Sequence, residues 1–400
     1  MNERLELPAT RMFFLDWVRI LAFFLLILYH VGMVYVTWDW HTKSPAASDA
    51  VEPFMMLSSP WRLSLLFFVS GVALSFLLAR MAPGRLARRR SARLLVPLVF
   101  GMLVIVPAQP YVEVVEKLGY AGGPLEFMRL YLSAYDGFCR EDCLILPTWN
   151  HLWFVAYLWV YTVAACALAA LLGPRIDAVT RIAGRLLAGW GVIWVPVAVL
   201  GLARLTLAPH FEQTHALVDD WYSHAAYFTV FLLGAVVARL PAFWERVEAL
   251  RWYALALALG SWAILIPWFA AYGLLPVELA ERIRLVARVL WVVCGWCAIV
   301  AVCGFGRRHL QFDNPARRYL NEAVFPVYIA HQTLIVVLAH AFQPLKLAPG
   351  LEALLLVILT VVLSFGIFEA VRRMPLLRPV FGLAPVHPRA MAQCAVPSAA

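Results

Sequence analysis

Three ionisable residues interrupt the apolar stretch LDWVRILAFFLLILYHVG at residues 15–32: Asp16, Arg19 and His30. An ionisable side chain near the centre of a membrane span costs about 2.5–3.5 kcal/mol on insertion scales, so such residues usually face the bundle interior and mark a site. On a helix rising 1.5 Å per residue, the eleven residues from Arg19 to His30 cover roughly 16.5 Å and close to three turns, which places both on one face. Asp16 lies three residues before Arg19 and can pair with it. The plainer reading is that Asp16 and Arg19 snorkel to the interface and that His30 is a satisfied core histidine. The alignment of all three along one stripe favours a functional line of residues.

Other polar groups recur at related depths. Ser70 and Gly71 sit mid-span in FFVSGVAL (67–74), where a glycine permits close helix approach. His151 opens NHLWFVAYL (150–158) on the outer side, near the expected depth of His30. Tyr328 and His331 lie three residues apart on one face of FPVYIAHQ (325–332). Taken singly, each is better explained by packing or interfacial anchoring. Arg90 and Arg93, i and i+3 in RLARRRSARLLVP (85–97), can grip a phosphate together. On charge alone the better reading is that they are ordinary topogenic residues.

The elements that must position these groups are membrane helices. The chain is 63% hydrophobic and 14% charged, with a mean hydropathy of +0.78, whereas a soluble domain is about 45–50% apolar and about 25% charged. Ten apolar runs, at roughly 14–36, 60–80, 94–115, 150–172, 186–205, 222–240, 252–272, 284–304, 321–342 and 351–371, predict an all-α polytopic bundle of about ten spans. The first run is too long for a cleavable signal and is expected to remain as a span. Arginines cluster in alternate loops, as in 80–93, 175–185, 239–251, 307–318 and 372–389, which predicts both termini in the cytoplasm. The net charge of +9 therefore reads as topology, and no nucleic-acid partner is expected.

The outer loops at 37–59 and 116–149 are long and rich in Trp, Tyr and Pro, which favours a functional role. Residues 1–375 are expected to form one transmembrane domain, and 376–400 a disordered cytoplasmic tail. Cys139 and Cys143 can form a local disulfide if their loop faces an oxidising compartment. CGWC at 294–297 lacks a redox context and reads as buried small residues. No metal site is expected.

Read in order, these segments resemble the membrane-bound acyltransferase-3 family. The resemblance rests on Arg19-x10-His30 in the first helix, Phe67-Phe68-x-Ser70-Gly71 in the second and Arg90-x-x-Arg93 entering the third. It continues with His151-Leu152-Trp153-Phe154 opening the fourth and Tyr328-x-x-His331 late in the chain. The resemblance implies a multi-pass protein of the bacterial inner membrane that moves an acyl group, succinyl or acetyl, from cytoplasmic acyl-CoA to the hydroxyl of a periplasmic glucan or other glycan. It further implies that Arg19, Arg90 and Arg93 hold the donor's phosphates, with acyl-CoA as substrate and no permanently bound cofactor. His30 would be the general base or, alternatively, an acyl-carrying nucleophile. His151, Tyr328 and His331 would orient the acceptor or steady the oxyanion, with Asp16 and Ser70 completing the site. A transporter or exporter of polysaccharide or small solutes is the rival reading, although inverted repeats and paired broken helices are not evident.

Overall fold

The computed structural model describes residues 11–140 and 143–385. All regular elements among them are helices: α1 (Phe13–Tyr35), α2 (Glu52–Ser58), α3 (Arg62–Leu78), α4 (Pro83–Phe100), α5 (Ala108–Leu118), α6 (Pro124–Leu132), α7 (Trp153–Leu172) and α8 (Ile176–Leu186). The series continues with α9 (Gly191–Thr206), α10 (Trp221–Val237), α11 (Pro241–Ala249), α12 (Arg251–Ala271), α13 (Val277–His309), α14 (Pro315–Phe342) and α15 (Pro349–Arg373). A helix satisfies its own backbone polar groups, which is what a hydrocarbon environment demands of a lone segment.

Each of the ten apolar runs coincides with a helix, but not all are alike. Among the described residues eight helices are long and apolar enough to cross a membrane, or nine if α10 and α11, bent by 113°, count as one broken span. The run expected at 186–205 becomes α9, a shorter apolar helix of 16 residues. The protein is thus a multi-pass helical membrane protein.

The chain divides into two compact units. The first comprises residues up to Trp38, Pro45–Arg90 and Ala156–Asn321; the second comprises Asp39–Ser44, Ser91–Val155 and Glu322 onward.

In the first unit α12 packs on α13, α10 on α3, and α1 on both α3 and α13. The crossing of α3 and α10 is set by two glycines. A Cβ on Gly71 would collide with the Phe231 carbonyl oxygen, and one on Gly234 with that of Phe68. Only glycine lets the two backbones approach so closely. Beside this crossing Phe67 packs on Tyr161 and Tyr227, and Phe68 on Trp244 and Trp296. The Phe-Phe-x-Ser-Gly segment is therefore foremost a packing device. Cys294 and Cys297 of the CGWC segment are buried free thiols in α13.

In the second unit the helical stretch begun by α4 changes its winding. Residues Gly101–Ile105 form a π-helical turn, and Pro107 removes an N–H just beyond it. Side-chain hydroxyls take up the carbonyls of this turn: Tyr131 bonds Met102 O at 2.8 Å, and Thr333 donates to Ile105 O at 3.1 Å. Beyond this turn α5 continues the stretch as an amphipathic segment. The loop expected at 116–149 contains α6 and a core of its own, in which Val114, Phe127, Tyr131, Phe138 and Leu146 are buried together. Cys139 and Cys143 are joined by a disulfide within it. Of the tail expected from residue 376, the part to Pro385 is described: Phe381 and Leu383 are buried, and Arg378 donates to Ala384 O at 2.7 Å. Residues 386–400 lie outside the described residues.

Candidate active site

The stripe on α1 is anchored at its N-terminal end. Arg19 lies 3.9 Å from Asp16, the pairing that three-residue spacing allows, and donates a short hydrogen bond to Asn321 Oδ1. Asp16 is engaged further. Its carboxylate accepts from Arg11 at 3.3 Å and from Arg317, whose side chain is 2% exposed. Arg317 also grips Asp313 through Nε at 3.0 Å and Nη2 at 2.8 Å. That guanidinium holds the Asp313 carboxyl below the usual carboxylate range. Asp16 is thus a structural tie between α1 and the start of α14, and it orients Arg19 from one side. His30 is half-buried in the last third of α1, its ring 6.1 Å from that of Tyr29. Ser70 is half-buried on α3, next to the glycine crossing.

Arg90 is half-buried and within electrostatic reach of the Cys166 thiol in the first unit. Arg93 is exposed, one turn further along α4, in the second unit.

The second unit brings His151, Tyr328 and His331 together. The His151 ring centroid is 5.5 Å from that of Tyr328 and 5.3 Å from that of His331, and all three side chains are buried. Their partners constrain what they can do. His151 Nε2 meets the Ile329 carbonyl at 3.2 Å and must donate to it, leaving Nδ1 to accept from Gln109 at 3.3 Å. Tyr328 donates its hydroxyl to the His151 carbonyl oxygen. His331 Nδ1 meets the carbonyl of Tyr328 at 2.6 Å and donates likewise. These bonds join the start of α7 to α14 and fix both segments.

Around them lies a set of residues that single-motif reasoning did not find. Gln109 is completely buried and uses its whole hydrogen-bonding capacity. Its Nε2 donates to His151 and to Thr333 Oγ1 at 2.7 Å, and its Oε1 accepts from Asn150 and Gln332, both at 3.0 Å. Gln332 Nε2 also reaches His41 Nε2 at 3.3 Å, and His41 Nδ1 lies 2.6 Å from the Glu113 carboxylate. The carboxylate can only accept, so His41 Nδ1 donates to it, and Nε2 accepts from the Gln332 amide. A histidine oriented by a carboxylate in this way becomes a proton acceptor when the group on Nε2 gives way. Lys117 holds Glu113 at 2.9 Å and Asp39 at 2.8 Å. A second imidazole–carboxylate pair, His340 with Glu116 at 2.6 Å, is joined by Thr42, which donates to Glu116 at 2.9 Å.

A sequence signal for this set does exist. Gln109, Glu113, Glu116 and Lys117 fall at i, i+4, i+7 and i+8, which is one face of a helix. This face straddles the end of the run expected at 94–115, within the apolar helical stretch Pro83–Leu118.

The imidazole–carboxylate pairs and the amide network can hold and move a proton. The acyltransferase-3 family model, described as an acyltransferase domain, matches residues 12–369. Glucans biosynthesis protein C of Escherichia coli strain K12 is 24% identical over 393 residues, covering 96% of this chain and 97% of that protein. The protein of the same name from Escherichia coli O6:K15:H31 strain 536 aligns with equal identity and coverage. No solved structure matches the chain.

Proposed function

Because the chain belongs to the acyltransferase-3 family, we propose that it moves a succinyl or acetyl group from cytoplasmic acyl-CoA to the hydroxyl of a periplasmic glucan or related glycan, in a bacterial inner membrane. The name of the Escherichia coli relatives supports a glucan acceptor. The observation that carries this reading is α1: a cation fixed by Asn321 and Asp16 near one end, and His30 about three turns further along the same face.

In this reading Arg19, with Arg90 and Arg93, binds the phosphates of the donor through charge-assisted contacts. Neutral His30 takes the proton of the acceptor hydroxyl as its oxygen bonds to the thioester carbonyl carbon. The tetrahedral oxyanion then collapses, the C–S bond breaks, and the departing thiolate receives the proton from the imidazolium. The buried donors of His151, Tyr328 and His331 are directed at backbone carbonyls. Their contribution is therefore to hold the α7 and α14 segments that meet the acceptor.

The His41–Glu113 dyad supports a second reading, in which His41 is the base and Glu113 orients it. Single variants separate the two. His30→Ala is expected to lower acyl transfer by about 10²-fold or more in folded protein, with His41→Ala losing less than tenfold. The reverse order assigns the base to His41. Arg19→Ala and Arg93→Ala are expected to raise the KM for acyl-CoA.

A further inference from the structure

A second buried polar group lies in the first unit, apart from the tie at Asp16. Arg62 opens α3 and is 9% exposed. Its guanidinium stacks on Tyr29, the residue before His30, 3.3 Å from the ring centroid. Its Nε and Nη1 are buried with no hydrogen-bond partner, and it forms no ion pair, among the described residues. A buried cation in that condition is strongly disfavoured unless an anion meets it.

Around it lie hydroxyl, amide and imidazole groups and, forming no ion pair with it among the described residues, the buried carboxylate of Asp220, whose Oδ1 has no hydrogen-bond partner. Tyr29 hydrogen-bonds the guanidinium and Tyr227 lies within its electrostatic reach, and the Tyr29 hydroxyl accepts from Ser59 at 3.2 Å. Gln213 donates to Ser223 Oγ at 3.2 Å and to Tyr227. The carboxylate of this region, Asp220, has Oδ2 occupied by the Tyr157 hydroxyl at 2.6 Å and the His215 N–H at 3.0 Å. What these residues provide is a guanidinium edge with hydroxyls beside it, which is the complement of a small carboxylate. It lies at the level of Tyr29, about 15 Å along α1 from Arg19. That is the end of the helix where the thioester, and not the donor's phosphates, would be placed.

We propose that Arg62 determines acyl-group specificity by receiving the distal carboxylate of a dicarboxylic acyl chain, so that the donor is of the succinyl type and not acetyl. The assignment rests on the preceding reading of the chain as an acyl-CoA-dependent transferase with His30 at the level of transfer.

The test uses the full chain in nanodiscs with a linear glucan acceptor. It compares kcat/KM for succinyl-CoA, acetyl-CoA and the methyl ester of succinyl-CoA, which keeps the chain and removes the charge. The wild type is expected to favour succinyl-CoA over both others by about tenfold or more, the value of one charge-assisted contact. Arg62→Gln is expected to lower the succinyl-to-acetyl ratio by the same factor, while Arg62→Lys keeps most of it. A ratio unchanged in Arg62→Gln, both donors falling together, reveals a purely structural arginine and overturns the proposal. Equal use of succinyl-CoA and its methyl ester by the wild type overturns it without any variant. Transfer of none of the three donors removes the underlying reading as well, so the two failures are distinguishable.

Discussion

Asp16→Asn removes a charge while preserving shape, and its consequence can be worked from the contacts. Three guanidinium groups, those of Arg11, Arg19 and Arg317, lie within 3.9 Å of this one carboxylate. Arg317 is the one that cannot turn to water, since its side chain is 2% exposed. Removing one partner from a buried ion pair typically costs about 3–5 kcal/mol. Arg317 keeps both bonds to Asp313, and the Asp16 side chain is itself 20% exposed. The expected loss is therefore smaller, about 2–3 kcal/mol. At about 2 °C per kcal/mol for a chain of this size, the unfolding midpoint falls by about 4–6 °C. The protein supplies its own reporters, because Cys166, Cys294, Cys297 and Cys303 are buried free thiols. A thiol-reactive fluorogenic dye thus follows unfolding in detergent. The double variant Asp16→Asn/Arg317→Met is expected to recover about 1–2 kcal/mol relative to the sum of the singles, because it leaves no unmatched buried charge. An unchanged midpoint in Asp16→Asn, or strict additivity in the double variant, refutes the tie. Loss of acyl transfer at an unchanged midpoint makes Asp16 a participant in the chemistry instead.

Three further outcomes follow from single contacts. Gly71→Leu forces α3 away from the Phe231 carbonyl and is expected to cost about 1–3 kcal/mol or more, read as a lower unfolding midpoint and poorer recovery of monodisperse protein. Tyr131→Phe strips the hydroxyl that accepts from Thr148 N–H and bonds the carbonyls of Met102 and Thr148. It is expected to cost about 1–3 kcal/mol and to speed amide exchange across 101–105 and 148–151. Burial lowers the His215 imidazole to about 4, below its unfolded value. The folded loop thus binds fewer protons than the unfolded one, so its stability is complete above about pH 6.5 and declines as pH falls from there toward 4. Amide exchange at His215 and Leu217 is expected to quicken through that window in the wild type and to lose that pH dependence in His215→Phe.

The helices were legible in the sequence because membrane insertion demands runs of apolar residues long enough to span, and every such run is a helix. The Asp16–Arg19 pairing followed from three-residue spacing and is present at 3.9 Å. Its third partner was not legible: Arg317 lies 301 residues away, and helix periodicity carries no information about which distant charge arrives. The same limit concealed His41, whose two partners, Glu113 and Gln332, lie 72 and 291 residues from it. The π-helical turn at Gly101–Ile105 was hidden for a different reason. Its carbonyls are taken by hydroxyls from α6 and α14, so nothing in the local sequence except Pro107 discloses that the winding changes there. The meeting of His151 with Tyr328 and His331 was suggested by resemblance, yet the direction of their donors toward backbone carbonyls became visible only in the structure.

The central claim is that this membrane protein transfers an acyl group from CoA to a glycan. The purified chain should be reconstituted in vesicles, with labelled succinyl-CoA supplied on the face bearing Arg19 and a glucan on the other. The account predicts label covalently attached to the glucan, with free CoA released in equal amount and the label lost in His30→Ala. Passage of unmodified glucan or donor across the vesicle, with no label on the glucan and no CoA released, would contradict it.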